Sequence, residues 1–306
     1  MPAGHGGSVS SRARVGIRDR GVLHFGGRLA ATGGRPLARE DEMAVGSHLP
    51  HDLVGRKGRG WGGMSDIRIG TSGWSYDHWN TVLYEDSLAP RDRLRRYTQE
   101  FDTVELNASF YRWPQQPTFR RWSHRLPPGF RMSVKAPRGL SHGRRLYRPE
   151  IWTSRLVQCW HELGERRGLL LVQLPPDQER DDDRLDYFLR GLPEWMRVAV
   201  ELRHHSWVID PVFDLLSRHQ ATYVVMSGAD LPCALRATST TVYVRLHGSD
   251  HDHLYAGSYS DADLHWWAQR IREWHGQHRD VFVYFNNDGY GHAVTNARQL
   301  RTLTNS

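Results

Sequence analysis

VAVELRHHSW, residues 198–207, decides how the rest of the chain is read. Val198, Ala199, Val200 and Leu202 form an almost unbroken apolar run of β-branched character, the pattern of a strand buried on both faces. The run delivers Glu201, Arg203, His204, His205, Ser206 and Trp207 at its end. A buried strand that presents a carboxylate, a guanidinium, two imidazoles and an indole at its C-terminus predicts the mouth of an α/β barrel. In such folds the chemistry sits outside the strand ends.

Working outward, similar runs fall at 67–71, 103–106, 130–134, 169–174, 222–226, 241–246 and 281–285. Pro175-Pro176 closes the 169–174 run, because proline cannot continue a ladder. Amphipathic or capped segments predict helices over 88–101, 116–126, 151–166, 182–190, 211–219, 261–277 and 296–303. Asp210, just before Pro211, reads as an N-cap. The connection from strand six to strand seven is too short for a full helix. Eight strands mostly separated by helices predict a single (β/α)8 TIM-type barrel, with an incomplete helix between strands six and seven. The rival is a doubly wound open sheet. No GxGxxG follows strand one, so its dinucleotide-binding version lacks its signature.

The 306 residues divide into two parts, an extension over 1–65 and the barrel over 66–306. Of the formal charge of +7, residues 1–65 supply ten Lys/Arg against five Asp/Glu. The basic balance therefore belongs mainly to the extension and says little about a nucleic-acid surface on the barrel. The extension is Gly- and Arg-rich and lacks apolar periodicity, a composition that does not offset its ordering entropy. Three readings are open for it: a disordered tail, a targeting segment, or a stretch that is not translated. Met64, three residues before the first strand, is the expected start, and mass spectrometry of the native N-terminus checks it. No apolar run approaches the roughly 18 residues a spanning helix needs. Cys159 and Cys233 form no CxxC pair and no disulfide framework, and read as reduced thiols of a cytoplasmic protein.

With these residues laid out, the chain resembles the YecE-like family (domain of unknown function 72). The matching segments are GTSGWSYDHW near residue 70, TVELNASFYRWP near 105, FRMSVKAP at 130, LLLVQLPP at 169, VAVELRHHSW at 198, YVRLHG at 243 and YFNNDGYGHAVTNA at 284. The resemblance implies an α/β barrel. It supplies no activity; only fold analogy to sugar-isomerase and apurinic-endonuclease barrels points to phosphosugar or nucleic-acid chemistry.

In a barrel the strand ends converge. Period-two alternation puts Glu105 with Asn107, Glu201 with Arg203, and Arg245 with His247 on common faces. If those faces point inward, three polar pairs enter one funnel, a costly burial unless they pair with each other or with a ligand. Glu105 and Glu201 are the candidate acid and base, assisted by His247. Lys135, Arg203 and Arg245 are candidates to hold an anion. Asn107, Gln173 and Asn286 would grip hydroxyls, Asp288 joins them from strand eight, and Trp74, Phe110, Tyr111 and Trp207 would stack on a sugar or base. The competing reading is a buried Glu–Arg–Lys network that only fixes strand register. No cofactor is assigned. Glu105, Glu201 and His247 are suitable ligand types for a divalent metal, and HGSDHDH after strand seven matches no zinc signature and reads as a mobile polar loop. His204-His205 reads as a packing pair. No GxSxG elbow surrounds Ser72 or Ser109. The expected partner is a small anionic substrate, with nucleic acid as the alternative and the arginines of residues 138–148 as its basic lip; no membrane partner is expected.

Overall fold

The computed structural model describes residues 22–23 and 65–305. The expectations for the rest of residues 1–65, including the start at Met64, lie outside the described residues. Eight parallel strands form the barrel: β1 (Ile67–Thr71), β2 (Thr103–Leu106), β3 (Arg131–Lys135), β4 (Arg167–Gln173), β5 (Val198–Glu201), β6 (Thr222–Ser227), β7 (Thr241–Leu246) and β8 (Asp280–Phe285). Their hydrogen-bonded order is β1-β8-β7-β6-β5-β4-β3-β2, so neighbours in sequence are neighbours in space.

The β1–β2 seam closes the ring by a bridge from Ser72 to Glu105 and a 2.7 Å bond from the Gly73 amide to the Glu105 carbonyl. Gly70 permits that approach: a Cβ there would stand 2.3 Å from the Thr103 carbonyl oxygen. Where the ladder is incomplete, the Tyr97 hydroxyl substitutes for it. It accepts from the Thr71 amide at 3.0 Å and donates to the Thr103 carbonyl at 3.1 Å.

Alternation along the strands sorts two cores. Outward residues such as Val104, Met132, Leu170, Val200, Val244 and Val283 pack under the helices. Inward residues Leu169, Leu171, Ala199, Val224, Tyr243, Phe282 and Tyr284 fill the barrel axis. The helices are α1 (Arg93–Tyr97), α2 (Ala108–Tyr111), α3 (Gln116–Arg125), α4 (Glu150–His161), α5 (Asp182–Arg190), α6 (Asp210–Arg218), α7 (Asp261–Gly276) and α8 (His292–Asn305). Between β6 and β7 there is no helix; Cys233–Ala234 pairs instead with Val22–Leu23.

Several element boundaries differ from those read in the sequence. The helix expected over 88–101 is a 3-10 turn, Pro90–Asp92, then the short α1, because Tyr97 is drawn into the seam and the chain turns tightly after it. The helix expected to reach residue 166 ends at His161, and a turn through Gly164 at φ +55° starts β4 earlier. Asp210 does not cap α6. It lies in the first turn, with Ile209 at the cap, and its carboxylate accepts from Arg236 at 2.7 Å. α8 begins at His292, four residues early. Both cysteines are buried free thiols, and burial pushes Cys233 up to about 12.

Candidate active site

The strand ends bring the three predicted pairs together. Arg245, on the inward face of β7, is fully buried at the centre. Its Nε and Nη2 donate to the two oxygens of Glu105 at 2.9 and 2.7 Å, and its Nη1 donates to Glu201 at 2.5 Å. Glu105 also accepts from the Tyr243 hydroxyl at 2.7 Å and from Ser72. Glu201 accepts from Arg203 Nε at 2.6 Å. Burial opposes ionisation of Glu201, but Arg245 and Arg203 outweigh it and hold its carboxyl well below the ordinary carboxylate range. The same carboxylates raise Arg245 against its own burial. This layer is a fixed carboxylate–guanidinium–carboxylate unit, so neither glutamate stands as the free proton donor that the sequence suggested.

Above it the polar groups are less complete. Asn107 donates to Ser72 Oγ at 2.6 Å, and Asn286 bonds His247 Nδ1 at 3.1 Å. With the Asn286 amide as donor, His247 carries its proton on Nε2. That nitrogen lies 3.8 Å from Glu201, beyond hydrogen-bond reach. Burial, then the nearby Arg245, pushes His247 well below the ordinary histidine range, so it is a neutral imidazole. His247 Nε2, Asn107 Oδ1 and Gln173 Oε1 are buried with no protein partner. Lys135 and Arg203, both nearly buried, lie near enough to His247 to act on its charge. The Lys135 ammonium sits 4.3 Å from the Phe110 ring centroid.

Other predicted residues fall elsewhere. Trp207 is in the core, 1 % exposed, with its indole donating to the Gln178 carbonyl at 2.8 Å, so it offers no rim face. Tyr111 is 84 % exposed and packs edge-on against Phe110. Asp288 is turned to the edge: its carbonyl takes His78 Nε2 at 2.7 Å, and burial raises its carboxyl. His204 bonds Ser206 at 2.8 Å, and His205 is exposed rather than packed with it. Glu105, Glu201 and His247 do not form a metal cradle, because Arg245 stands between the two carboxylates. Among the described residues no three His, Cys, Asp or Glu side chains form a metal-holding group.

Tyr255 was not singled out in the sequence. The HGSDHDH loop, read as mobile and polar, folds back through a 2.7 Å bond from the Tyr255 amide to the His247 carbonyl. Tyr255 thereby reaches over the mouth, its hydroxyl 3.1 Å from Arg203 and its ring 5.3 Å from His247. An aromatic isolated in a polar loop was the available signal. Beside the mouth lies a cleft of about 870 Å³, walled by Phe110, Tyr111, Trp74, Trp113, Trp122 and Trp152 and edged by Arg112, Arg138 and Arg155.

Residues 68–306 match the family described as "Protein of unknown function DUF72". The chain belongs to the DUF72 family. It is 29 % identical over 269 residues to the UPF0759 protein YunF of Bacillus subtilis, a match spanning 78 % of this chain and 94 % of that one. A DUF72 family protein of Thermotoga maritima superposes with a TM-score of 0.69 at 27 % identity, over 78 % of this chain and 99 % of the other. A DUF72 family protein of Enterococcus faecalis, 20 % identical, superposes with a TM-score of 0.69 over 79 % of this chain and 96 % of the other, a likeness of fold. These DUF72 relatives agree with the barrel read from strand order. Among the described residues no helix is long and apolar enough to cross a membrane.

Proposed function

We propose that this DUF72 protein is an enzyme, a hydrolase or isomerase, acting on a phosphorylated sugar or nucleotide at the C-terminal face of its barrel. One observation carries the reading: among the described residues Asn107 Oδ1, Gln173 Oε1 and His247 Nε2 are buried without partners, near Lys135 and the guanidinium of Arg203. Unpaired buried polar atoms cost about 1–3 kcal/mol each, a cost that a ligand donating to the amide oxygens and accepting from His247 would relieve. Arg203 supplies the attraction for the anionic group, Lys135 lies beside it, and Asn107 and Gln173 accept from hydroxyls. Glu105 and Glu201 act as positioning residues, since their oxygens are engaged by Arg245 and Arg203. They also offer no free carboxylate to a divalent ion, so the metal-dependent, apurinic-endonuclease-like phosphoesterase reading has less support in this geometry.

The test is thermal stabilisation by a panel of sugar phosphates and nucleotides, with Gln173→Leu as the comparison. Stabilisation by a phosphorylated sugar that the variant loses at least tenfold in affinity supports the reading. No stabilisation by any phosphorylated member of the panel overturns it. The Trp-walled cleft favours a second reading, binding of a nucleotide or single-stranded nucleic acid by base stacking with arginines along the backbone. Under it, oligonucleotide binding is quenched steeply by salt and weakened by Arg138→Ala. Salt-independent binding sinks it.

A further inference from the structure

Only two of the chain's 41 lysine and arginine residues are lysines, Lys57 and Lys135. Every other cation on the barrel is an arginine, including those in ion pairs such as Arg68–Asp66, Arg120–Glu162 and Arg298–Glu100. Lys135 is thus the one amine side chain among the described residues. The chemical difference is definite: a guanidinium is not deprotonated in a protein, whereas an amine can lose its proton and become a nucleophile.

The position fits that use. Lys135 ends β3 on the inward face, at the barrel mouth, and is nearly buried. Phe110 covers one side of its ammonium. Its backbone carbonyl accepts from Ser109 at 2.6 Å, but among the described residues its ammonium has neither a hydrogen bond nor an ion pair, although both buried glutamates lie near it. Their oxygens are taken by Arg245, Arg203, Tyr243 and Ser72. Two charged groups that repel an ammonium, Arg203 and Arg245, face it with Glu105 and Glu201. His247 and His142 are the remaining titratable neighbours. His142 packs edge-on against Phe110 and is pushed by burial, then by Lys135, to about 4, so it is neutral.

We propose that Lys135 is a nucleophile that forms a Schiff base with an aldehyde or ketone substrate carrying an anionic group. This deepens the reading above and rests on it for the anion, since the open-chain form of a phosphorylated sugar presents such a carbonyl. Burial, with Arg245 adding to it, lowers Lys135 to about 7, so a large fraction of the amine is free at neutral pH. The Nζ lone pair adds to the carbonyl carbon, and a proton passes from nitrogen to oxygen to give a carbinolamine. The hydroxyl takes a proton from solvent and leaves as water, and the nitrogen lone pair completes the iminium. Water is the sole by-product, and no oxidant or reductant enters. The iminium then draws electrons from the neighbouring carbon, the property that sugar isomerisation and carbon–carbon cleavage use.

The experiment incubates the full chain at pH 7 with glycolaldehyde or glycolaldehyde phosphate and sodium cyanoborohydride, then locates the reduced adduct by peptide mass spectrometry. Lys57 is the internal reference. Lys135 is expected to carry at least tenfold more adduct than Lys57 with the phosphorylated probe, with half-maximal labelling near pH 7. Equal labelling of the two lysines, or labelling of Lys57 alone, overturns the proposal without needing a variant. Lys135→Arg should abolish the adduct while circular dichroism stays unchanged. If both probes label Lys135 equally, the Schiff base stands and the anion reading fails. If neither labels it while a phosphorylated sugar still stabilises the fold, the Schiff base fails and the anion reading stands.

Discussion

Two adjacent layers inside the same barrel use the same residue types to opposite ends. The lower layer, centred on Arg245 and the Tyr243 and Tyr284 rings, is fully partnered. Tyr284 meets Thr103 at 2.6 Å and Ser133 at 3.0 Å, while Tyr243 and Arg245 saturate Glu105. The upper layer, one inward step further along each strand, holds Lys135, Gln173, Arg203, His247 and Asn107, and three of its polar atoms have no partner. A sealed polar layer fixes register and closes the barrel floor; the unsealed one above it is left for the proposed substrate to complete. The comparison teaches that satisfaction, rather than charge, separates scaffold from site.

The largest expected effect breaks the sealed layer. Arg245→Leu leaves two buried carboxylates without their shared cation and should cost about 3–5 kcal/mol in urea unfolding. A loss under about 1 kcal/mol would mean that this layer is not structural. Next is its pH dependence. The folded-state pKa of Glu201 is depressed, so its stabilisation is present above the unfolded value of about 4.5 and is lost as pH falls through the lower folded value. Acid unfolding below pH 4.5 should therefore be shallower in Glu201→Gln, and parallel acid limbs would contradict the assignment.

In the unsealed layer the buried charge destabilises rather than stabilises, while the slope with pH keeps the same sign. The folded chain binds the Lys135 proton less well than the unfolded chain. Its penalty is full below pH 7 and is relieved as pH rises from 7 toward the ordinary lysine value of 10.5. Lys135→Met should thus stabilise at pH 6 by ~1–3 kcal/mol, and the variant should lose the rise in stability above pH 7. Equal stability at pH 6 and pH 9 in the native chain would count against a depressed lysine. Gln173→Leu removes an unpartnered buried oxygen and should stabilise the free protein by about 1–3 kcal/mol, yet abolish stabilisation by a phosphorylated sugar. The smallest effect belongs to the cleft edge: Arg112→Ala should stay within ~0.5 kcal/mol by the same urea measurement, and a larger loss would give that side chain a structural role.

Much of the scaffold was legible because its cause is local. The strands of residues 67–71, 103–106 and 241–246 end where the apolar run ends, and the inward pairs follow from strand alternation alone. The boundaries that shifted at Tyr97 and Asp210 involve partners distant in sequence, the β1–β2 seam and Arg236, whereas the one at His161 is set by the neighbouring turn through Gly164. The gathering of polar residues at the strand ends was legible, but not how they bond to one another. Glu105 and Glu201 look alike in sequence to free acid and base groups, and Arg245 looks like an anion clamp; only their mutual distances show that they consume one another. Trp207 and Tyr255 exchanged places for the same reason, one drawn into the core by the Gln178 carbonyl, the other carried to the mouth by a folded loop.

The sequence by itself determined an eight-stranded α/β barrel, its family, and the polar residues that gather at one end, because periodicity and strand order are properties of the chain. Only the tertiary structure decided which of those residues are spent on each other and which are left open. Hydrogen-bond saturation and desolvation depend on atoms from five or more strands meeting within a few ångströms, and no single stretch of sequence encodes that meeting.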